Sequence, residues 1–118
     1  MSDNTNPLGN IYISNRAIAS IASQCALQSY GVVGLAAKNL VEGITSSLVK
    51  DPLLGIDVQH IENMIGVELY IIIEYGTRIS EVASSVADSV HYQLERSLGI
   101  SVKYVNVHVR GLRISNPD

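Results

Sequence analysis

The chain has 118 residues, 47% of them hydrophobic, and eight Lys and Arg stand against eleven Asp and Glu for a net charge of −3. That length suits one domain able to bury about 65% of its unfolded surface without disulfides or metal, and the acidic balance argues against a general binder of nucleic acid or anionic membrane, which usually presents a concentrated cationic surface. A single cysteine, Cys25, excludes an intramolecular disulfide and a multi-cysteine zinc site and suits a reducing compartment.

The opening MSDNTNPLGN lacks a basic-then-apolar leader pattern. The longest apolar run, around Ile71–Ile73, falls far short of the ~20 residues of a membrane helix. The expectation is a cytoplasmic protein without direct membrane insertion. Trp and Phe are absent and all six aromatics are Tyr, so the core must come from Ile, Val, Leu and Ala. Tyrosine hydroxyls need water or partners, which marks Tyr12, Tyr70 and Tyr104 as residues of a wet sheet face.

In chain order, residues 1–8 read as a polar disordered tail, 9–115 as the single domain and 116–118 as a second tail. Ile11 and Ile13 flank Tyr12 in a short strand. Ser14 is placed to cap a helix whose apolar stripe is Ala17, Ile18, Ile21, Ala22, Cys25 and Ala26. Gly31 takes the position of a helix-ending glycine. A short second helix is expected from Leu35, with Ala37, Leu40, Val41, Ile44 and Leu48 at helical spacing, stopped by Asp51-Pro52.

Ile56 and Val58 alternate with polar residues in a strand, and Glu62-Asn63 forms a hairpin tip. The next strand alternates Ile65, Val67, Leu69, Ile71 and Ile73 with Gly66, Glu68, Tyr70 and Glu74. After a Tyr75-Gly-Thr corner, Ile79, Val82, Ala83, Val86, Ala87, Val90 and Leu94 line one face of a long helix that Gly99 ends. The last strand, Ile100 to Arg110, sets Val105, Val107 and Val109 against Val102, Tyr104, Asn106, His108 and Arg110. The fold expected is α+β, a small mixed or antiparallel sheet of about four strands with two main helices on one face and a short extra helix, in the order β-α-α-β-β-α-β.

Catalytic signals are sparse. His60, His91 and His108 fall on three separate elements, without the i, i+4 pairing of a helical metal site. Cys25 sits on an apolar stripe with no basic neighbour in sequence to lower its pKa. Glu68 and Glu74 are six residues apart on one strand, roughly 20 Å, too far for a catalytic carboxylate pair. Gly-x-Ser-x-Gly, Walker and dinucleotide-binding patterns are missing. No catalytic, cofactor-binding or metal-binding residue is nominated, and a non-enzyme is expected. The remaining signal is Tyr70 with Ile72, joined by Tyr12, Tyr104 and His108, on the sheet side away from the helices: a candidate partner surface. An alternative is a KH-like RNA-binding module that clamps phosphate with the Gly31, Val32, Val33, Gly34 loop and Lys38. Charge disfavours it, because Lys38 and Lys50 are balanced by Glu42 and Asp51.

Four blocks also resemble one family in its order: Gly9-Asn-Ile-Tyr-Ile-Ser, Tyr30-Gly-Val-Val-Gly-Leu, Tyr75-Gly-Thr-Arg-Ile-Ser-Glu-Val-Ala and Val105-Asn-Val-His-Val-Arg-Gly. Together they are similar to the alkaline shock protein family of bacteria, in its short YloU-type branch. The resemblance implies a small cytoplasmic protein linked to cell-envelope stress and homeostasis, without known catalytic residues. It also implies self-association, recruitment to the membrane by a membrane-anchored protein partner, and a link to lipid metabolism through a fatty-acid-kinase-like protein.

Overall fold

Strand β4, Met64–Glu74, is the axis of the molecule, and every other sheet strand but one pairs directly with it. The computed structural model describes residues 13–38 and 48–114. Within them the remaining elements are α1 (Asn15–Leu27), β1 (Val32–Ala36), β2 (Leu48–Val49), α2 (Pro52–Gly55), β3 (Ile56–Ile61), α3 (Ile79–Leu98) and β5 (Ser101–Arg113). On one edge of β4 lie two antiparallel partners in tandem: β3 beside its first half, from Met64 to Leu69, and β1 beside Ile71–Ile73. The other edge is taken by β5, parallel, from Met64 to Glu74. β2 extends the sheet beyond β1, so five strands form one mixed sheet.

Alternation along β4 decides the layering. Ile65, Val67, Leu69, Ile71 and Ile73 are fully buried, and they form one cluster with Val82, Val86, Val90 and Leu94 of α3 and with Ile18, Ala19, Ala22 and Ala26 of α1. Alanines on α1 leave room for it beside α3 over the same face. The parallel β4–β5 pair requires a crossover, and α3 supplies it while roofing the sheet. Local chemistry sets the ends: Ser14 Oγ accepts the Ala17 N–H at 3.0 Å to start α1, and Gly99 ends α3 in the left-handed region, φ +67°.

The α+β class, the long helix, the 62–63 turn and the strands on either side of it match the sequence reading. Several details differ. Leu35 begins no helix; it lies in β1, and Leu48 lies in β2. Residues 39–47, the middle of that expected helix, are outside the described residues, as are Ile11 and Tyr12 of the expected first strand. Asp51-Pro52 opens a helix instead of closing one. The Asp51 carboxylate accepts the Leu53 N–H at 3.0 Å, and Pro52 sits in the first turn, where a missing N–H costs nothing. That backbone hydrogen bond, aided by Arg16, holds the Asp51 carboxyl below its usual range. α1 ends at Leu27, earlier than Gly31. Ile79, in the first turn of α3, is exposed, so the helix buries its apolar face only from Val82 onward.

The last strand carries the most consequential difference. Register shifts at Lys103 and Arg110 interrupt the simple alternation. The first returns Val102 to the core, where it is 4% exposed, in register with Ile65.

Replacing Leu94 by Ala should cost about 2–5 kcal/mol of unfolding free energy, since a cavity opens where α3 meets the sheet. Ser84→Ala on the exposed flank should stay within about 0.5 kcal/mol. Urea denaturation of both variants checks the layer assignment, and equal costs would contradict it.

Candidate functional site

The face of β4 turned away from the helices carries Gly66, Glu68, Tyr70, Ile72 and Glu74, and the register with β5 decides what stands beside each. Tyr104 pairs with Gly66, Asn106 with Glu68, and His108 with Tyr70. Gly66 is there for close approach: a methyl group on it would overlap the Tyr104 ring. His108 Nε2 donates to Glu68 Oε1 at 2.6 Å, while the His108 and Tyr70 rings stack with centroids 4.7 Å apart and planes 12° from parallel. The Arg110 guanidinium lies 4.8 Å from the Tyr70 ring centroid. Its Nε is buried without a hydrogen-bond partner among the described residues.

β3 continues this row. Asp57 stands across from Glu68, and Lys38 Nζ lies 3.8 Å from Asp57 Oδ1. Burial raises the Tyr70 phenol above its ordinary pKa, the carboxylates of Glu68 and Asp57 raise it further, and Arg110 opposes them. The arrangement is an ordered polar and aromatic surface. Contacts of this kind are worth about 1 kcal/mol each or less when partly exposed, so they position side chains more than they hold the fold.

Of the five residues expected to form a partner surface, three come together: Tyr70, Tyr104 and His108. Tyr12 is outside the described residues. Ile72 must be withdrawn, because it is 0% exposed. It stands in register with Gly34 of β1 and Gly111 of β5, and the Leu48 side chain lies against Gly34 beside it. Sequence reasoning missed Arg110, Glu68 and Gly66. A glycine inside a strand pattern is the usual mark of a ring or backbone coming close, and Gly66 was the available signal.

The phosphate-clamping loop is also corrected. Gly31-Val32-Val33-Gly34 does not join two helices; Val32, Val33 and Gly34 are the start of β1, with Gly34 paired to Ile72. Two β-branched valines favour a strand over a loop apex. Both glycines have packing reasons: Gly31 has φ +89° with Val82 Cγ2 only 2.8 Å from where its Cβ would be, and a Cβ on Gly34 would come within 2.8 Å of Leu48 Cδ2. Lys38, expected beside that loop, pairs with Asp57.

Other titratable groups are engaged locally. His60 Nε2 donates to Asn15 Oδ1 at 2.7 Å, and His91 Nε2 must carry the hydrogen it gives to the Val102 carbonyl at 3.0 Å. Among the described residues no group of three or more His, Cys, Asp or Glu is placed to hold a metal ion. Burial raises the Cys25 thiol, the opposite of what a thiolate nucleophile needs. Two shallow clefts of about 430 and 380 Å³ adjoin at the β4–α3 corner, sharing Tyr30 and Thr77 in their walls. The charged pair of the larger cleft, Arg78 and Glu81, is closed on itself at 2.9 Å.

The model of the alkaline shock protein 23 family, described as having a cell envelope-related function, matches residues 3–114. The chain belongs to this alkaline shock protein family. The uncharacterized protein YloU of Bacillus subtilis is 41% identical over 111 residues, covering 92% of each chain. The uncharacterized Spy1614 of Streptococcus pyogenes is 32% identical over 108 residues, covering 90% of this chain and 89% of the other. Among solved structures, the copper form of the MamM CTD aligns with a TM-score of 0.54 at 10% identity, covering 88% of this chain and 92% of that one. A doubly substituted MamM CTD also gives 0.54, over 90% and 92%. At such low identity the likeness to MamM concerns the fold alone. This alkaline shock family fold has, among the described residues, no helix long and apolar enough to cross a membrane.

Gly66→Ala should drive the Tyr104 ring off the sheet, read as loss of ring-current shifts at neighbouring β4 protons. An unchanged spectrum would contradict the Tyr104 placement. In a spectrophotometric titration, Tyr70→Phe should remove one phenol that ionises above the ordinary tyrosine range, and Glu68→Gln should lower that phenol's midpoint. A difference confined to ordinary tyrosine pH values would count against the Tyr70 environment.

Proposed function

We propose that this alkaline shock family chain is a non-enzymatic interaction module of the cell envelope that acts by docking protein partners, itself among them, through the open face of its sheet. The observation that carries the reading is the half-buried row of His108, Tyr70 and Arg110, held to one another, with Tyr104 seated on Gly66 beside them, on a face that no helix covers among the described residues. Tyrosine and arginine held in place beforehand bring large contact area at little entropic cost on binding, which suits a contact surface. The module works from the cytoplasm, with a membrane-anchored protein or a fatty-acid-kinase-like protein as candidate partners, and the family's envelope description supports that direction.

Sedimentation velocity and affinity capture from native cells test this with wild type, Tyr70→Ala and His108→Ala. Wild type should self-associate or retain a discrete partner, and Tyr70→Ala should weaken that association at least tenfold while keeping the wild-type circular dichroism. A strictly monomeric wild type that retains nothing would contradict the reading.

A further inference from the structure

β5 is a strand of 13 residues whose one neighbour, β4, pairs it along nearly its whole length. Among the described residues no strand takes its other edge. The beginning of β5 is engaged by α3: the Val102 N–H donates to Glu95 Oε2 at 3.0 Å, and the Val102 carbonyl accepts from His91 at 3.0 Å. Between the register shifts at Lys103 and Arg110 runs a regular stretch, Tyr104 to Val109. In an edge strand every second N–H and C=O of such a stretch points away from the sheet.

Small side chains of α3 flank that edge. His91 and Glu95 fix which flank of α3 faces β5, and Ala87 and Ala83 precede them at four-residue steps on the same flank. α3 runs back against the direction of β5, so the two small side chains fall over the later part of the strand. There Val105, Val107 and Val109 are only partly buried against the core. Ala83, Ala87 and the three valines are each partly exposed, an apolar strip beside the outward backbone groups.

Charge decides what could occupy it. β5 carries Lys103, Arg110 and Arg113 and no carboxylate, on a chain whose net charge is −3. Neither Lys103 nor Arg110 forms an ion pair among the described residues. A second copy pairing antiparallel about Asn106–Val107 would set Lys103 against Arg110 of the other copy, and like charges directly opposed are destabilising. An acidic segment meets the same two cations favourably.

We propose that the free edge of β5, Tyr104 to Val109, accepts an extended acidic segment of a partner protein as an added strand, apolar side chains toward Ala83 and Ala87 and carboxylates toward Lys103 and Arg110. This rests on the docking reading above and names the edge and the chemistry of the partner. The probe is an octapeptide with Glu at both ends and alternating Val and Thr between, titrated into the full chain and followed by amide chemical shifts. Shifts should concentrate on 103–111 with Ala83 and Ala87. The double variant Lys103→Glu, Arg110→Glu should weaken binding at least tenfold, and so should N-methylation of alternate peptide amides, which leaves charge intact. A peptide with Lys at both ends should not bind. Equal binding by the N-methylated peptide, shifts centred elsewhere, or no binding at millimolar peptide would overturn the inference. So would a dimer that protects the outward backbone amides of Tyr104–Val109 from exchange and survives Tyr70→Ala, since that gives the edge to a second copy. If the double variant keeps its wild-type circular dichroism and its partner while Tyr70→Ala loses it, the edge inference fails and the docking reading stands.

Discussion

The structure depends on one contact, the alternate residues Ile65 to Ile73 of β4 against the Val82, Val86, Val90, Leu94 stripe of α3, with the Ala-rich flank of α1 alongside. All nine of these β4 and α3 side chains are at most 5% exposed. Burying a Val, Leu or Ile side chain is worth about 1.5–3 kcal/mol, so this interface supplies a large share of the driving force the domain has. It also commits those faces to packing. What is left for recognition is the outer face of the sheet, its edges and the rims of the helices.

On that outer face glycine and ring chemistry do the positioning. Gly66 gives Tyr104 a seat, Tyr70 is held by His108 and Arg110, and Glu68 anchors His108. The parallel register of β4 with β5 brings these residues into adjoining rows, although they are about 40 residues apart in the chain. A parallel pair needs a crossover. α3 therefore both buries the core and sets the register on which the outer surface relies.

Period was the most legible property in the sequence. Alternation along Ile65–Glu74 and the 3.6-residue spacing of Val82–Leu94 fixed the strand, the helix and the side each buries, and the Ser14 and Gly99 end signals fell where the structure has them. Two kinds of information were not legible. Bulges are invisible to a period count, so Val102 was assigned to the wrong face of β5. Tertiary cover is equally invisible: Ile72 breaks the alternation as an exposed residue would, yet it is fully buried. The Gly31–Gly34 pair shows a third limit, because one spacing serves a loop or a tightly packed strand entry, and only Val82 and Leu48 pressing on the glycines decide between them.

Amide hydrogen exchange on the full chain tests the central claim, that the inner face is spent on packing while the outer edge of β5 stays available. Amides of Val67–Ile73 and Val86–Leu94 should exchange only through global unfolding, while along Tyr104–Val109 slow amides directed at β4 should alternate with fast ones facing outward. Uniform protection of that stretch, or exchange in α3 well ahead of global unfolding, would contradict the account.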